Sequence, residues 1–431
     1  MKLPDSQQQQ RIENIIHSRF FDRTNIYNVY KWLENFSDEE MNDAIDVMEH
    51  IMYFRESDLI NMLEKVFKSL FGGIDIDKSL IYIMPLGEPG KSGDAMMYCA
   101  HKVLHNKILK AKDSFRFINY AEEVDIQLCE NKDNAYVVLL DDIIGSGGSF
   151  SDYIKNNTGK PKTDLLPIIN NGHIGMKLIA PVILESGKNR IAKEYPSIEI
   201  LCEETYNKAF EKGKSVFGWY KPLLRLRQFC YKYGKLLEPK NPLGWKNSQA
   251  LVVFDHATPN NTLPIIWSNR VVKSTKRQWY PLFPRSYNVV GERSFSERTD
   301  NNRWVSMLVS VLLRDDNEGL DFEKKRKLLK NYFSWNSYNL FLILRMLMKN
   351  EPYYRIANTL AITADDLETL FKKGEGKLWD NQHKITVEAK KVYDEVEKKI
   401  SIEKTKSNWL RPQNVDDRHF IYIPGTFKGL K

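Results

Sequence analysis

One segment near the middle of the chain restricts the possible folds more than any other. Tyr136–Leu140 is an apolar run, Asp141 and Asp142 follow it directly, and the next residues, up to Ser149, are rich in glycine and serine. A continuous apolar run that ends in small polar residues is typical of a buried strand in a parallel sheet. Ligands bind beyond the carboxyl ends of such strands. The segment therefore predicts the fold class and also the place of a site.

The pattern around this segment supports an α/β fold. The other apolar runs are Leu80–Leu86, Lys177–Leu184, Ile198–Leu201 and Ala250–Phe254. Helix-like segments lie between the runs, near 94–110, 149–156, 187–195 and 221–237. Strands that alternate with helices predict a mostly parallel sheet with helices on both faces.

The same patterns divide the chain into four parts. Residues 1–73 are predicted to form an N-terminal helical region, with helices alone over residues 10–72. Ser37 and Glu40 have the spacing of a capping box before a helix that begins near Met41. This region has a packing role or contacts a partner. The α/β domain follows at 74–290, a helical domain at 300–400, and a tail at 401–431.

Composition excludes several classes of protein. The four cysteines are scattered and form no C-x-x-C pair, which excludes a disulfide scaffold and a cysteine-rich zinc site. No apolar run reaches the roughly 18 residues that a membrane-spanning helix requires. The first residues contain no apolar stretch typical of a secretory signal. We therefore expect a cytoplasmic protein that does not enter a membrane.

The net charge of +8 is concentrated in the last third of the chain. Residues 271–431 contain 30 Lys and Arg against 21 Asp and Glu, whereas the remainder contains 34 against 35. A basic segment joined to a neutral body indicates either a nucleic-acid partner or a solvated, lysine-rich helical surface.

The residues after the central strand are suited to binding a phosphorylated sugar. Backbone N–H groups of a glycine-rich loop, together with the positive end of the next helix, bind phosphate. Two carboxylates one loop away accept hydrogen bonds from sugar hydroxyls. The combination favours a ribose 5-phosphate. The alternative is a strand followed by a turn, in which the acids only cap the backbone.

This segment resembles the phosphoribosyl pyrophosphate (PRPP) signature of type I phosphoribosyltransferases. The resemblance implies that Asp141 and Asp142 are catalytic, contact the ribose 2′- and 3′-hydroxyls, and act on Mg²⁺ indirectly, through the ligand that carries it. The residues that it assigns to the 5′-phosphate are Gly145, Ser146, Gly147, Gly148 and Ser149. Purine-salvage relatives often carry a carboxylate as a base where this chain has Gly145, which puts a base-assisted purine transfer in doubt.

A second loop follows the strand that ends near Leu86. By the same resemblance it binds the pyrophosphate of PRPP, through Gly90, Lys91, Ser92 and Gly93, with Lys91 and Mg²⁺ stabilising the leaving group. Gly90-Lys91-Ser92 lacks the spacer of a Walker A motif, so the segment does not predict an ATPase. A plain exposed turn is the alternative.

A third loop follows Phe254. A polar loop follows this strand, and an apolar segment follows the loop. The pattern places four candidate substrate-binding residues at the same edge of the sheet, namely His256, Thr258, Asn260 and Asn261. They either contact a ligand or form a hydrogen-bonded turn. Arg225 and Arg227 fit a solvated basic face better than a substrate clamp.

Together the three loops look like a phosphoribosyltransferase-like family of bacterial conflict systems, some members of which are anti-phage effectors beside retron reverse transcriptases. This resemblance spans residues 75–285. It implies a partner that is a protein or a complex of reverse transcriptase and nucleic acid.

Residues 330–400 resemble a winged helix-turn-helix domain. Tyr353–Leu370 has helix-turn-helix form, and a hairpin-like stretch near Asp380 and a last helix from Glu388 follow. The helix that would enter DNA begins with Asp365 and Asp366, which a phosphate backbone repels. Docking on a protein or on a protein–nucleic-acid complex is therefore favoured over direct DNA contact.

These observations lead to one functional prediction with two rivals. The prediction is an enzyme effector that binds PRPP or a 5′-phosphoribosyl nucleotide and transfers or cleaves at ribose C1 under the control of a partner. The first rival is a non-catalytic, nucleotide-sensing DNA-binding regulator. The second is a scaffold subunit with a degenerate pocket.

Overall fold

The chain divides into two compact units, Met1–Val289 and Val290–Lys431. The computed structural model describes residues 4–87, 92–131, 134–156, 174–285, 338–353, 356–357, 364–395 and 397–398. The sequence predicts a separate region for residues 1–73, but the first compact unit includes those helices together with the α/β region.

The first unit follows an alternating order of helices and strands. Its helices are α1 (Ser6–Ser18), α2 (Ile26–Leu33), α3 (Met41–Glu49), α4 (Glu56–Gly72), α5 (Ser92–Lys110), α6 (Ile126–Glu130), α7 (Gly148–Asn156), α8 (Glu185–Glu194), α9 (Lys221–Leu237) and α10 (Pro264–Trp267). Its strands are β1 (Met52–Phe54), β2 (Ser79–Pro85), β3 (Phe115–Phe117), β4 (Asn134–Leu140), β5 (Ile143–Ile144), β6 (Ile174–Ile179), β7 (Val182–Leu184), β8 (Glu199–Leu201), β9 (Glu204–Tyr206), β10 (Val252–Phe254), β11 (Val271–Val272) and β12 (Arg277–Gln278).

The main sheet has five parallel strands in the order β3-β2-β4-β6-β8. All seven residues of β2 are buried, as expected for a strand covered on both faces. Alternate residues enter two different cores. Tyr82 and Leu139 pack with Phe150 of α7, whereas Ile83 and Val138 pack with Met96 of α5. The predicted fold class, a mostly parallel sheet with helices on both faces, is therefore confirmed.

Three strands of this sheet are interrupted at their carboxyl ends and then continue. β4 leads into β5, β6 into β7 and β8 into β9, and the three continuations form a second parallel sheet, β5-β7-β9. The prediction of one strand over Lys177–Leu184 is wrong, because the ladder breaks at Ala180 and Pro181, and proline has no N–H to donate. In β4 the break falls at Asp141 and Asp142, which places both carboxylates at an edge between two sheets.

A short third sheet connects the N-terminal region to the rest of the unit. β1 pairs in parallel with β10, and the N–H of Asp255 donates to the carbonyl of Phe54. The buried Asp255 carboxylate accepts hydrogen bonds from the Tyr53 hydroxyl (2.7 Å) and the Glu56 N–H (3.1 Å). The prediction of helices alone over residues 10–72 is therefore wrong at β1, and the N-terminal region supports the loop that follows β10.

The second unit contains helices α11 (Tyr338–Met348) and α12 (Ala364–Gly374) and further helical residues at 387–395. Trp379 and Ile385 form an antiparallel bridge where the sequence predicts a hairpin, and the Trp379 indole is buried with its N–H donating to the Phe371 carbonyl. Residues 354–355 and 358–363 of the predicted helix-turn-helix segment and the tail 401–431 lie outside the described residues. The winged-helix assignment stays a prediction.

Within the described ranges, no helix has both the length and the apolar character that a membrane crossing requires.

Candidate functional site

A cavity of about 750 Å³ opens at the carboxyl ends of β2, β4 and β10. The loops after β4 and β10 supply most of its wall, and Gly87 and Ala95 line it beside the loop after β2. Predicted residues that line it are Asp141, Asp142, Gly145, Ser146, Gly147, Gly148, Ser149, His256, Thr258, Asn260 and Asn261. The fold thus brings together residues that are more than a hundred positions apart in the sequence.

The two aspartates differ in their surroundings. Asp142 is only 3% exposed, and its Oδ2 lies 3.1 Å from Nε2 of His256. Because a carboxylate only accepts, the imidazole N–H donates in this contact. Asp141 is partly exposed, and its Oδ1 accepts the backbone N–H of Asp142 at 2.9 Å. Both side chains therefore face the cavity rim, and one of them is already held by the third loop.

The loop from Gly145 to Ser149 leads directly into α7, which begins at Gly148. Gly147 has a φ of +70°, a conformation that glycine adopts without steric cost. Its carbonyl accepts from both the N–H and the hydroxyl of Ser151, which fixes the loop against the helix. The first N–H groups of an α-helix have no helical partner, and in α7 the N–H of Gly148 donates to the Ser146 hydroxyl at 3.3 Å. The start of a helix is a position at which proteins commonly bind anions.

The other side of this loop is packed against backbone of α8. A β-carbon at Gly187 would overlap the carbonyl oxygen of Gly145 and lie 3.1 Å from the nitrogen of Gly147. The sequence did not single out Gly187, because a lone glycine near the start of a helix carries no signal of its own. The close approach of α8 sets the path of the loop from Gly145 to Ser149.

Asn261 from the third loop lies directly over Gly145. A β-carbon at Gly145 would overlap the side-chain amide of Asn261. The Asn261 amide, from a distant segment of the chain, thus fills the space that a side chain at position 145 would occupy. The loop itself carries no carboxylate at this point, and the amide supplies a donor and an acceptor instead.

One part of the third loop lines the cavity, and another part is held in the interior. The His256 ring stacks on Phe254 at 5.3 Å with an interplanar angle of 6°, so its orientation is fixed by the strand end as well as by Asp142. Thr258 is buried, and its hydroxyl donates to the Phe283 carbonyl at 3.1 Å. Its hydroxyl therefore supports the loop. Asn260 lines the cavity, and its carbonyl accepts from the Trp245 N–H.

Only part of the predicted pyrophosphate loop can be placed. Gly90 and Lys91 lie outside the described residues, and Ser92 begins α5. Gly93 is buried, and a β-carbon there would lie 2.7 Å from Cβ of Pro85. This glycine permits close packing of α5 on β2, and the ligand contacts of Gly90, Lys91, Ser92 and Gly93 stay predictions.

Sequence reasoning missed three polar residues at or near the cavity. Arg285 lines it, and its guanidinium lies 5.4 Å from the Trp267 ring centre. Asp152 of α7 also lines it and pairs with Lys246 at 2.7 Å. Lys246 has a φ of +49°, and its side chain lies against Gly148. Only the tertiary fold brings these residues to the site, since none of them belongs to a local motif.

Arg225 contacts the N-terminal helices and not the cavity. Its guanidinium pairs with Asp43 at 3.0 Å and with Asp46 at 2.9 Å, both on α3. Arg227 lies on α9, as Arg225 does, and is exposed. The interpretation of these arginines as surface residues is therefore favoured over a substrate clamp.

Among the described residues, the side chains around the cavity do not form a metal site built from protein ligands alone. No group of three or more His, Cys, Asp or Glu side chains among the described residues is placed to hold one. A pair of carboxylates at the rim of an anion site instead fits Mg²⁺ that arrives bound to a diphosphate, because Mg²⁺ keeps substrate phosphates and waters as ligands.

Fold and site define a phosphoribosyltransferase-like α/β protein. A family model described as PRTase-CE matches residues 29–285, more than half of the chain, and the chain belongs to the PRTase-CE family. None of the curated proteins compared with this sequence matches it.

Several solved structures are similar at low identity. An orotate phosphoribosyltransferase from Aeropyrum pernix is 15% identical over 35% of this chain and 70% of that chain, with a TM-score of 0.21. A hypoxanthine-guanine phosphoribosyltransferase from Schistosoma mansoni, in complex with IMP, is 15% identical over 37% and 68%, with a TM-score of 0.22. The AQ2163 protein from Aquifex aeolicus is 12% identical over 52% and 96%, with a TM-score of 0.24. These scores are too low to carry an argument about this chain.

Proposed function

We propose that the cavity binds the 5′-phosphoribosyl group of PRPP or of a nucleotide, and that the protein transfers or cleaves this group at ribose C1. The observation that carries the proposal is the meeting of two carboxylates and an anion-binding loop at one edge of the sheet, opposite a polar third loop. Membership of the PRTase-CE family supports the same class of ligand.

In this proposal the loop binds the phosphate of the ligand, and the two acids bind its sugar. The 5′-phosphate accepts hydrogen bonds from the N–H groups of Gly145 to Ser149 and faces the positive end of α7. The ribose hydroxyls donate to Asp141 and Asp142. Because His256 already holds one oxygen of Asp142, the carboxylate keeps a fixed orientation, which reduces the entropy lost when the sugar binds.

The chemical step follows from charge development at C1. The bond from C1 to the leaving group breaks, and its electron pair stays on the leaving group. A lone pair of the nucleophile forms the new bond to C1, and the proton of the nucleophile passes to the departing group or to water. Lys91 is proposed to stabilise the departing oxygens, and bound Mg²⁺ would supply further positive charge there. His256, Asn260 and Asn261 are proposed to contact the acceptor, since they face the sugar site from the third loop.

The wider role proposed is that of a cytoplasmic effector in a bacterial anti-phage, retron-like system. The second unit and the net charge of +9 over residues 271–431 support control by a partner that is a protein or a reverse transcriptase–nucleic-acid complex. Direct DNA contact by the second unit is the alternative. In that case the protein is a non-catalytic nucleotide sensor.

The test combines ligand binding, turnover and cell growth for the wild-type protein and an Asp141→Asn/Asp142→Asn variant. We expect calorimetry to show Mg²⁺-dependent PRPP binding that the double variant weakens at least tenfold, because two acceptors of the sugar hydroxyls lose their charge. Mass spectrometry of incubations with PRPP, NAD and nucleotides should show products with the wild type only. The variant should also abolish any toxicity in cells.

Asp113→Asn is the matched control, because it removes an exposed carboxylate two residues before β3, at the opposite end of the sheet. Binding without turnover under any partner condition would favour the nucleotide sensor. Absence of PRPP and nucleotide binding would contradict the proposed function.

A further inference from the structure

A group of apolar side chains is exposed around the start of α9, apart from the cavity. We call it the aromatic patch, formed by Val216, Trp219, Tyr220 and Leu224. Trp219 is 74% and Tyr220 70% exposed. None of the four lines the cavity. Large apolar side chains that are exposed within nine residues of the chain are a candidate interaction site.

The loop that carries the aromatic patch is held in place by buried neighbours. Phe217 is buried and stacks on Phe210 at 5.2 Å, and it also contacts the His50 ring at 4.9 Å. The Ser215 hydroxyl donates to the Ala209 carbonyl at 2.6 Å. Tyr220 has a φ of +54°, which is uncommon for a residue with a side chain. The backbone that carries the two exposed rings is therefore held in place, which reduces the backbone entropy lost when the rings are covered.

The segment of the chain that carries the aromatic patch is basic. Residues 208–232 contain seven Lys and Arg and a single acid, Glu211. Arg225 and Lys232 pair with acids of the N-terminal region, and Lys214 lies 3.9 Å from Glu211. The remaining cations form no ion pair with any residue that the structure describes, and they are Lys208, Lys212, Lys221 and Arg227.

We propose that the aromatic patch binds single-stranded nucleic acid. Unpaired bases stack on Trp219 and Tyr220, and phosphates contact Lys212, Lys221 and Arg227. Stacking on aromatic rings with cations along the backbone is the way in which sequence-tolerant single-strand binding works. Trp, Tyr and Arg are enriched at protein–protein interfaces as well, but lysine is depleted there, so the lysines favour a nucleic acid over a protein partner. A duplex fits less well because its bases are not open to stacking.

The first experiment measures fluorescence anisotropy of a labelled oligothymidylate of about 20 nucleotides with the full-length protein. We expect binding at low salt, and we expect Trp219→Ala/Tyr220→Ala to weaken it by about tenfold or more, since each ring that is removed leaves one base without a stacking partner. Trp219→Phe should retain most of the affinity. Tyr98→Ala is the control, because Tyr98 is exposed on α5 and also lies beside a lysine, Lys102.

The second experiment tests the charges through salt dependence. Lys212→Glu/Lys221→Glu should lower the slope of log affinity against log salt by about 1.4, at about 0.7 for each phosphate of the single strand that a lysine no longer neutralises. Absence of binding at low salt, or equal binding by wild type and Trp219→Ala/Tyr220→Ala, would overturn the proposal. So would light scattering that shows a dimer for the wild type and a monomer for Trp219→Ala/Tyr220→Ala, because a second copy would then occupy the aromatic patch.

Discussion

Gly145 in the loop after β4 is in close contact with two groups, and one of them can move more easily than the other. The amide of Asn261 lies on one side, and the backbone of α8 at Gly187 lies on the other. The Asn261 side chain can rotate away from a methyl group added at Gly145, whereas a methyl group added at Gly187 meets backbone of the loop, which cannot move without its neighbours. The two glycines should therefore differ in how well they tolerate alanine.

We predict that Gly187→Ala destabilises the protein more than Gly145→Ala does. An added β-carbon at Gly187 meets the Gly145 carbonyl, so we expect a loss of about 3 kcal/mol in the free energy of unfolding, against about 1 kcal/mol for Gly145→Ala. Urea denaturation measures both. Gly73→Ala is the control, because no atom lies within 4 Å of a β-carbon there. Equal stability of the two variants would contradict the packing described here.

The contact between Asp142 and His256 shows how a buried charge is tolerated at this site. A carboxylate that is 3% exposed needs a hydrogen-bond donor, and His256 supplies one from a segment 114 residues away. The same contact connects the loop after β4 to the loop after β10. The orientation of Asp142 therefore depends on the correct placement of the third loop.

Between elements, the contact of α9 with the N-terminal region depends on Glu40. Its carboxylate accepts from the Tyr233 hydroxyl (2.5 Å), the Lys232 ammonium (2.9 Å) and the Ser37 hydroxyl (2.8 Å). The predicted capping box is therefore wrong: Ser37 makes no side-chain cap, and a 3₁₀ turn, Asp38–Glu40, precedes α3. The Glu40 carboxylate, which would accept the Ser37 N–H in a capping box, instead accepts from Lys232 and Tyr233.

We predict that this contact makes stability depend on pH. Burial alone would raise the pKa of Glu40, but hydrogen bonds from Tyr233, Lys232 and Ser37 outweigh it, and the pKa is lowered. A lowered pKa stabilises the folded state above the unfolded-state pKa, and this contribution is lost as the pH falls through the folded-state pKa.

Glu40→Gln should therefore lower the free energy of unfolding at neutral pH by about 1 kcal/mol and have a smaller effect in acid. Denaturation at several pH values measures this difference. Glu39→Gln, an exposed neighbour, is the control. A constant difference between Glu40→Gln and wild type across the acid range would show that the ionised carboxylate is not the cause.

At the scale of the whole molecule, the N-terminal and C-terminal segments of the first unit pack against each other. β1 pairs with β10, and the Trp32 indole N–H donates to the Ile265 carbonyl at 2.7 Å. Residues of α4 share a core with β2 and β4. The N-terminal region is thus part of the structure that supports the candidate site.

We predict that a fragment of residues 1–289 folds and binds PRPP as the full chain does, whereas residues 74–289 alone do not fold. Removal of residues 1–73 exposes the core face that α4 covers and deletes the strand partner of β10. Circular dichroism and thermal denaturation distinguish the two fragments. A cooperative melting transition of 74–289 would instead support a separate helical region up to residue 73.

Much of the α/β core could be predicted from local sequence. Apolar runs of strand length and the helical segments between them place many of the main elements within two residues of their observed bounds, as at β2 and α9. The sequence missed β1 and β3, which have three residues each, and too few residues remain there for a clear periodic pattern. It also missed the early start of β6 at Ile174 and the break before β7, which depends on Pro181.

Local sequence was sufficient to specify the parallel sheet and the three loops that line the cavity, because burial of a strand on both faces and an anion-binding turn each require a continuous stretch of particular residues. Packing of the folded chain was needed to establish that His256 holds Asp142, that Asn261 covers Gly145, and that Gly187 and Arg285 belong to the site. These contacts join residues distant in the chain. No local pattern encodes which distant side chain fills a given space, since that depends on how the packed elements meet.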